Sequence, residues 1–183
     1  MKKCREFQEV PISPLYAKLI KQCDPQFRIP EVIDIYFCPL HKPYGTSLNF
    51  DFDIIIQDNM SIDYTLMLIA HEIFHPLCAI DRVASESIRI IAVKHWVVEG
   101  FKNRGDFSPY NEMGYFIEEN IVDALEAYVA YKLDFEIDPY QYFMSRNNGS
   151  HVISPKIFDY LLAHPKDISE EFETYLYNFA CTL

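Results

Sequence analysis

The sequence predicts an α+β domain in which a small sheet packs against helices, and three observations carry that expectation. Two β-branched and aromatic segments lie in the first third of the chain, an almost wholly apolar helical stretch follows them, and the remainder reads as further helices. Strands followed by helices, without regular alternation, suit an α+β arrangement better than a doubly wound one. At 183 residues, half of them hydrophobic, the chain can bury one sizeable core. A single domain over 1–183 is expected, with a core over about 31–135 and a helical C-terminal extension over about 136–183.

Pro11, Pro14, Pro25 and Pro30 cut the first thirty residues into short pieces, the longest a helix candidate over 15–22. Residues 32–37 read as a strand ending before Pro39, and a turn-rich loop follows it. Leu48, Phe50 and Phe52 then alternate with Asn49, Asp51 and Asp53 before the run Ile54-Ile55-Ile56, which predicts a second strand, half exposed at one end and buried at the other. Residues 64–75 are apolar apart from Thr65, His71, Glu72 and His75, the composition of a core helix, and Pro76 should end or kink it. A second helix is expected over 84–102 and a third from the N-cap pair Ser108-Pro109 to about residue 133. Asp138-Pro139 and Asn147-Asn148-Gly149-Ser150 mark loops, and Ser154-Pro155 and the capping box Asp167-x-x-Glu170 open two terminal helices.

A formal net charge of −11 disfavours binding to nucleic-acid phosphates or to anionic membranes, both of which need a basic face. No apolar run approaches the length of a membrane span and no export signal is visible, so the cytoplasm is the expected compartment. The five cysteines are scattered and form no C-x-x-C pair, as expected of reduced thiols rather than a disulfide framework. Oligomeric state has no signature in the sequence.

Chemistry enters at His71-Glu72-Ile73-Phe74-His75, an H-E-x-x-H inside the predicted core helix. Positions four apart share a helix face, so His71 and His75 can direct two imidazole nitrogens at one zinc ion, with Glu72 beside it as a general base. A catalytic zinc takes three protein ligands and keeps a fourth position open. Glu119 is the leading third ligand, because Asp123 stands one turn later and can accept the other ring N–H of a ligand histidine. Glu99, Asp81 and Glu126 remain alternatives, and the bland reading of Glu118, Glu119, Asp123 and Glu126 is a solvated acidic face. His151, Tyr115 and Tyr142 are candidate donors to a developing oxyanion.

The H-E-x-x-H with the downstream Glu119-x-x-x-Asp123 resembles the zincin metallopeptidases, specifically the gluzincin branch, over roughly residues 48–130. That resemblance implies zinc ligands His71, His75 and Glu119, general base Glu72, an orienting Asp123, and an edge strand over 47–56 packed beside the catalytic helix. It implies a zinc-dependent hydrolase of peptide bonds in peptide or protein substrates, which could bind by adding a strand to the sheet edge. Trp96-Val97-Val98-Glu99-Gly100-Phe101 resembles the third-ligand segment of aminopeptidase-like members, which keeps Glu99 in view. The alternatives from other classes are a non-catalytic zincin-like interaction domain and a deformylase-like amide hydrolase using Cys38. A di-iron carboxylate bundle would need a second E-x-x-H, which the sequence lacks.

Overall fold

The computed structural model describes residues 14–23, 35–38, 46–48, 53–57, 61–78, 85–105 and 111–183. Its helices are α1 (Pro14–Cys23), α2 (Ile62–Cys78), α3 (Ser85–Ala92), α4 (His95–Lys102), α5 (Met113–Lys132), α6 (Pro139–Ser145), α7 (Ser154–Ala163) and α8 (Phe172–Thr182), with a 3-10 turn over Arg146–Gly149. The fold class is therefore corrected from α+β to helical. Where side chains are described, helices account for 78% of residues and no strand or sheet occurs. The physical reason is that α2 packs on α5, α5 on α7 and α3 on α8, so helical faces bury one another without a sheet as a layer.

Three segments, β1 (Ile35–Cys38), β2 (Thr46–Leu48) and β3 (Asp53–Gln57), are described by backbone alone. They run in the order β1-β3-β2, with β1 parallel and β2 antiparallel to β3. The single edge strand expected over 47–56 is thus two segments, the later one central. Asn49 and Asp51, residue types that favour turns over strands, stand in the sequence between them.

The helical expectations hold in outline and shift at their ends. α2 continues through Pro76 for two residues, because the proline is exposed while Leu77 and Cys78 remain buried. The helix expected over 84–102 is two, α3 and α4, with Lys94 extended between them. No proline or glycine marks that break. The break separates two fully buried residues, Ile91 and Val97, which one continuous helix would set about 120° apart. Ser108-Pro109 lies outside the described residues, and α5 begins at Met113 after an extended Glu112. Asp138-Pro139 starts α6 instead of a loop, the Asp138 carboxylate accepting from the Tyr140 and Gln141 amides. Asp167 accepts from the Ser169 amide and hydroxyl, and α8 starts later, at Phe172.

α5 is the axis of the assembly, since every residue from Phe116 to Ala130 is buried. Its Asn120 secures the C-terminal part: Oδ1 accepts from the amides of Ile153 and Ser154 and from the Ser154 hydroxyl, while Nδ2 donates to the Phe116 carbonyl. The segment after residue 136 is therefore built into the core and not appended to it. At Gly100 of α4 an added Cβ would lie 2.6 Å from Val152 Cγ2 and 3.0 Å from the Ser150 carbonyl, so glycine permits the close approach of residues 150–152. Among the described residues no helix is long and apolar enough to cross a membrane.

Asn120→Ala leaves three buried donors of residues 153 and 154 unmatched. It should destabilise the protein by about 3 kcal/mol in denaturant titration, at the upper end of the cost of stranding buried polar groups.

Candidate metal centre

α2 and α5 run antiparallel through the centre: His71 meets Asp123 and Glu126, while His75, one turn later, meets Glu118 and Glu119. Helical periodicity creates each half. His71 and His75 are four apart on α2, and Glu119, Asp123 and Glu126 succeed one another along one stripe of α5. The two imidazole rings stand nearly perpendicular, with centroids 4.8 Å apart.

Their Nε2 atoms lie 3.2 Å from each other. Glu119 faces both, with Oε2 3.5 Å from His71 Nε2 and Oε1 3.4 Å from His75 Nε2. Atoms bound tetrahedrally to zinc at about 2.0–2.1 Å stand about 3.3 Å apart, so this trio has the spacing and donor set of a three-ligand zinc site. Two further observations fit the ion. Glu119 Oε2 is buried without a hydrogen-bond partner among the described residues, and two neutral imidazoles cannot face each other through lone pairs without a proton or a cation between them.

Behind the trio lies a second group of buried donors and acceptors. Glu118 Oε1 is 3.2 Å from His75 Nδ1 and can accept its proton. His71 Nδ1 is 3.3 Å from Glu126 Oε2 and 3.5 Å from Asp123 Oδ1, though neither contact has hydrogen-bond alignment. Asp123 Oδ2 accepts from Arg146 Nε at 3.3 Å and pairs closely with His151 Nδ1. Asn147 Nδ2 lies 2.8 Å from His151 Nε2, and the Tyr142 hydroxyl donates to Glu126 Oε1.

Burial disposes of the solvated-face reading: Glu118 and Glu119 are 8% exposed, Asp123 and Glu126 not at all. It also sets the protonation. Burial by itself lowers the His71 pKa, but the charges of Glu126, Glu119 and Asp123 reverse that and lift it to about 10. Burial pushes Glu126 upward despite His71. For Asp123 burial acts in the same direction, yet Arg146, His151 and His71 together hold the carboxyl well below its usual range.

The structure thus brings together His71, His75, Glu119 and Asp123 and leaves Glu99 away from them. Glu99 is exposed on α4, its Oε1 3.0 Å from Lys102 Nζ. Asp81 lies outside the described residues, Cys38 belongs to a segment described by backbone alone, and Glu126 faces the Nδ1 side of His71. Glu72 is half-buried and has no hydrogen-bond or ion-pair partner among the described residues. Of the proposed oxyanion donors, His151 is buried on Asp123, Tyr142 is engaged with Glu126 and Tyr115 is exposed on the first turn of α5. Sequence reasoning placed Glu118 only on a solvated acidic face and missed its contact with His75, and it missed Arg146 and the binding of His151 to Asp123. Glu118 follows once the helices are known to be antiparallel, whereas residues 146–151 arrive from a loop that carries no periodic signal.

The proton on His71 gives the metal-free protein a defined pH response. An imidazole with an unfolded pKa near 6.5 and a folded value of about 10 contributes stability fully below pH 6.5. That contribution disappears as pH rises through about 10. Urea midpoints of the chelator-treated protein should therefore fall between these limits, and His71→Gln should flatten the decline.

Comparisons with protein-family models, with curated proteins and with solved structures return no match for this chain.

Proposed function

We propose that the protein is a zinc-dependent hydrolase of peptide bonds, with His71, His75 and Glu119 holding the ion and Glu72 serving as general base. The observation that carries this reading is the convergence of two Nε2 atoms and one carboxylate, 3.2–3.5 Å apart, across two packed helices. Zinc bound there supplies Lewis acidity and makes water a nucleophile at neutral pH. Glu72 receives the proton of the attacking water and returns it to the leaving amine, and among the described residues no partner competes for its carboxylate. Glu118 holds the orientation of His75 through Nδ1, and a carboxylate on the Nδ1 side of His71 holds that ring in turn.

Elemental analysis of the purified full chain should return about one zinc per chain, with iron and manganese assayed alongside. Glu119→Ala should lose the ion while Glu99→Ala keeps it; the reverse ranking would move the third ligand to α4. Glu72→Gln should retain zinc and lose peptide hydrolysis by at least about a hundredfold, in the range for removal of a general base. Hydrolysis that survives Glu72→Gln would refute the mechanism.

A further inference from the structure

The centre holds two carboxylates within reach of one ring nitrogen, His71 Nδ1, and their other commitments differ. Asp123 already gives Oδ2 to two donors, Arg146 Nε and His151 Nδ1. Its charge is shared with a guanidinium, and its free oxygen Oδ1 is the more distant from His71, at 3.5 Å. Glu126 gives Oε1 to one neutral donor, the Tyr142 hydroxyl, and turns Oε2 to His71 Nδ1 at 3.3 Å. Both carboxylates are fully buried, and among the described residues Glu126 Oε2, Asp123 Oδ1 and His71 Nδ1 have no other hydrogen-bond partner. A carboxylate neutralised by an ion pair is a weaker acceptor than one bonded to a phenol.

We propose that Glu126, and not Asp123, is the residue that takes the Nδ1–H of His71 and so positions this ligand. Asp123 instead fastens residues 146–151 to the centre. The inference rests on the metal reading of His71, His75 and Glu119. It departs from the expectation drawn from the Glu119-x-x-x-Asp123 spacing, in which Asp123 orients the histidine.

The same three atoms could also be taken for a second metal site, since His71, Asp123 and Glu126 have the necessary ligand types. Two features oppose a cation there. Arg146 places a positive charge directly on Asp123, and a metal on Nδ1 would require His71 to lose both ring protons. A single proton, donated from Nδ1 to Glu126, pairs two of the three atoms without either cost. The assignment makes Glu126 a positioning residue acting through His71. Asp123 becomes the anchor of a turn in which Asn147, Asn148 and Gly149 all have positive φ, at 42°, 59° and 72°.

The test compares two carboxamide substitutions in the full chain, Glu126→Gln and Asp123→Asn. Zinc affinity is measured by chelator competition, ligand geometry by the visible absorption of the cobalt(II)-substituted protein, and the turn by hydrogen exchange. Glu126→Gln should weaken zinc binding about 10–100-fold, the range for removing the partner of a ligand histidine, and shift the cobalt bands. Asp123→Asn should change affinity less than about threefold while hastening exchange at residues 146–151, since its loss acts on the turn and not on the ligand. Where a carboxamide variant does not fold, Glu126→Asp and Asp123→Glu, which keep the charge and move it by one methylene, are ranked in the same way. A larger loss of affinity on altering Asp123, unchanged affinity on altering Glu126, or two zinc ions per wild-type chain would each overturn the assignment. A wild-type chain that binds no zinc would remove the centre itself, an outcome distinct from a reversed ranking of the variants.

Discussion

The arrangement of this protein depends on how four carboxylates of one helix are accommodated inside the core. Glu118, Glu119, Asp123 and Glu126 are all buried on α5, where an ionised carboxylate without a partner is costly. Three have identifiable compensation: Glu118 at His75 Nδ1, Asp123 at Arg146 and His151, and Glu126 at Tyr142 and His71. Glu119 is different. Its described partners are the Nε2 atoms of the two histidines, which can match a carboxylate only when they carry a proton or share a cation with it. The electrostatic demand of the core therefore concentrates where the metal reading places the ion.

That demand also explains the fixed register of α2 against α5. Apolar helix faces can slide with modest loss, but a slide of one turn, about 5.4 Å, would hand one imidazole the other's carboxylates and leave the second imidazole with none of the four. The surrounding helices reinforce this position. Tyr16 of α1 donates to the Leu66 carbonyl of α2, and Asn120 of α5 ties down the start of α7. Glycine at position 100 allows residues 150–152 to close over α4, which keeps His151 within reach of Asp123. Packing and chemistry are thus coupled through the same few side chains.

The sequence made legible what helical periodicity encodes. His71 and His75 lie on one face because they are four apart, and Glu119 with Asp123 repeats the spacing, so the residues that meet across α2 and α5 carry a local signal. The sheet-based architecture was misread, since a short β-branched run such as Ile54-Ile55-Ile56 indicates local preference and not whether a sheet forms a layer of the core. The break at Lys94 was hidden because no proline or glycine marks it. The partners of Asp123 were hidden for another reason. Arg146 and His151 reach it across 23 and 28 residues of chain, a separation that tertiary packing sets and no local pattern records.

The distribution of partners also separates the acids by role. Glu118, Asp123 and Glu126 are each held by a donor whose loss would strand a buried charge, so none can accept and release a proton without disturbing the ligands it supports. Glu119 stands between the two imidazoles, and its negative charge is required for any cation to remain there. Glu72, one residue from His71 and about 100° around the helix from it, is half-buried and has no partner among the described residues. In the proposed hydrolase this carboxylate would take up and return the proton while the other four stay in place. The carboxylates of α5 are therefore not a pool of interchangeable bases but a framework in which each is fixed by its own partners.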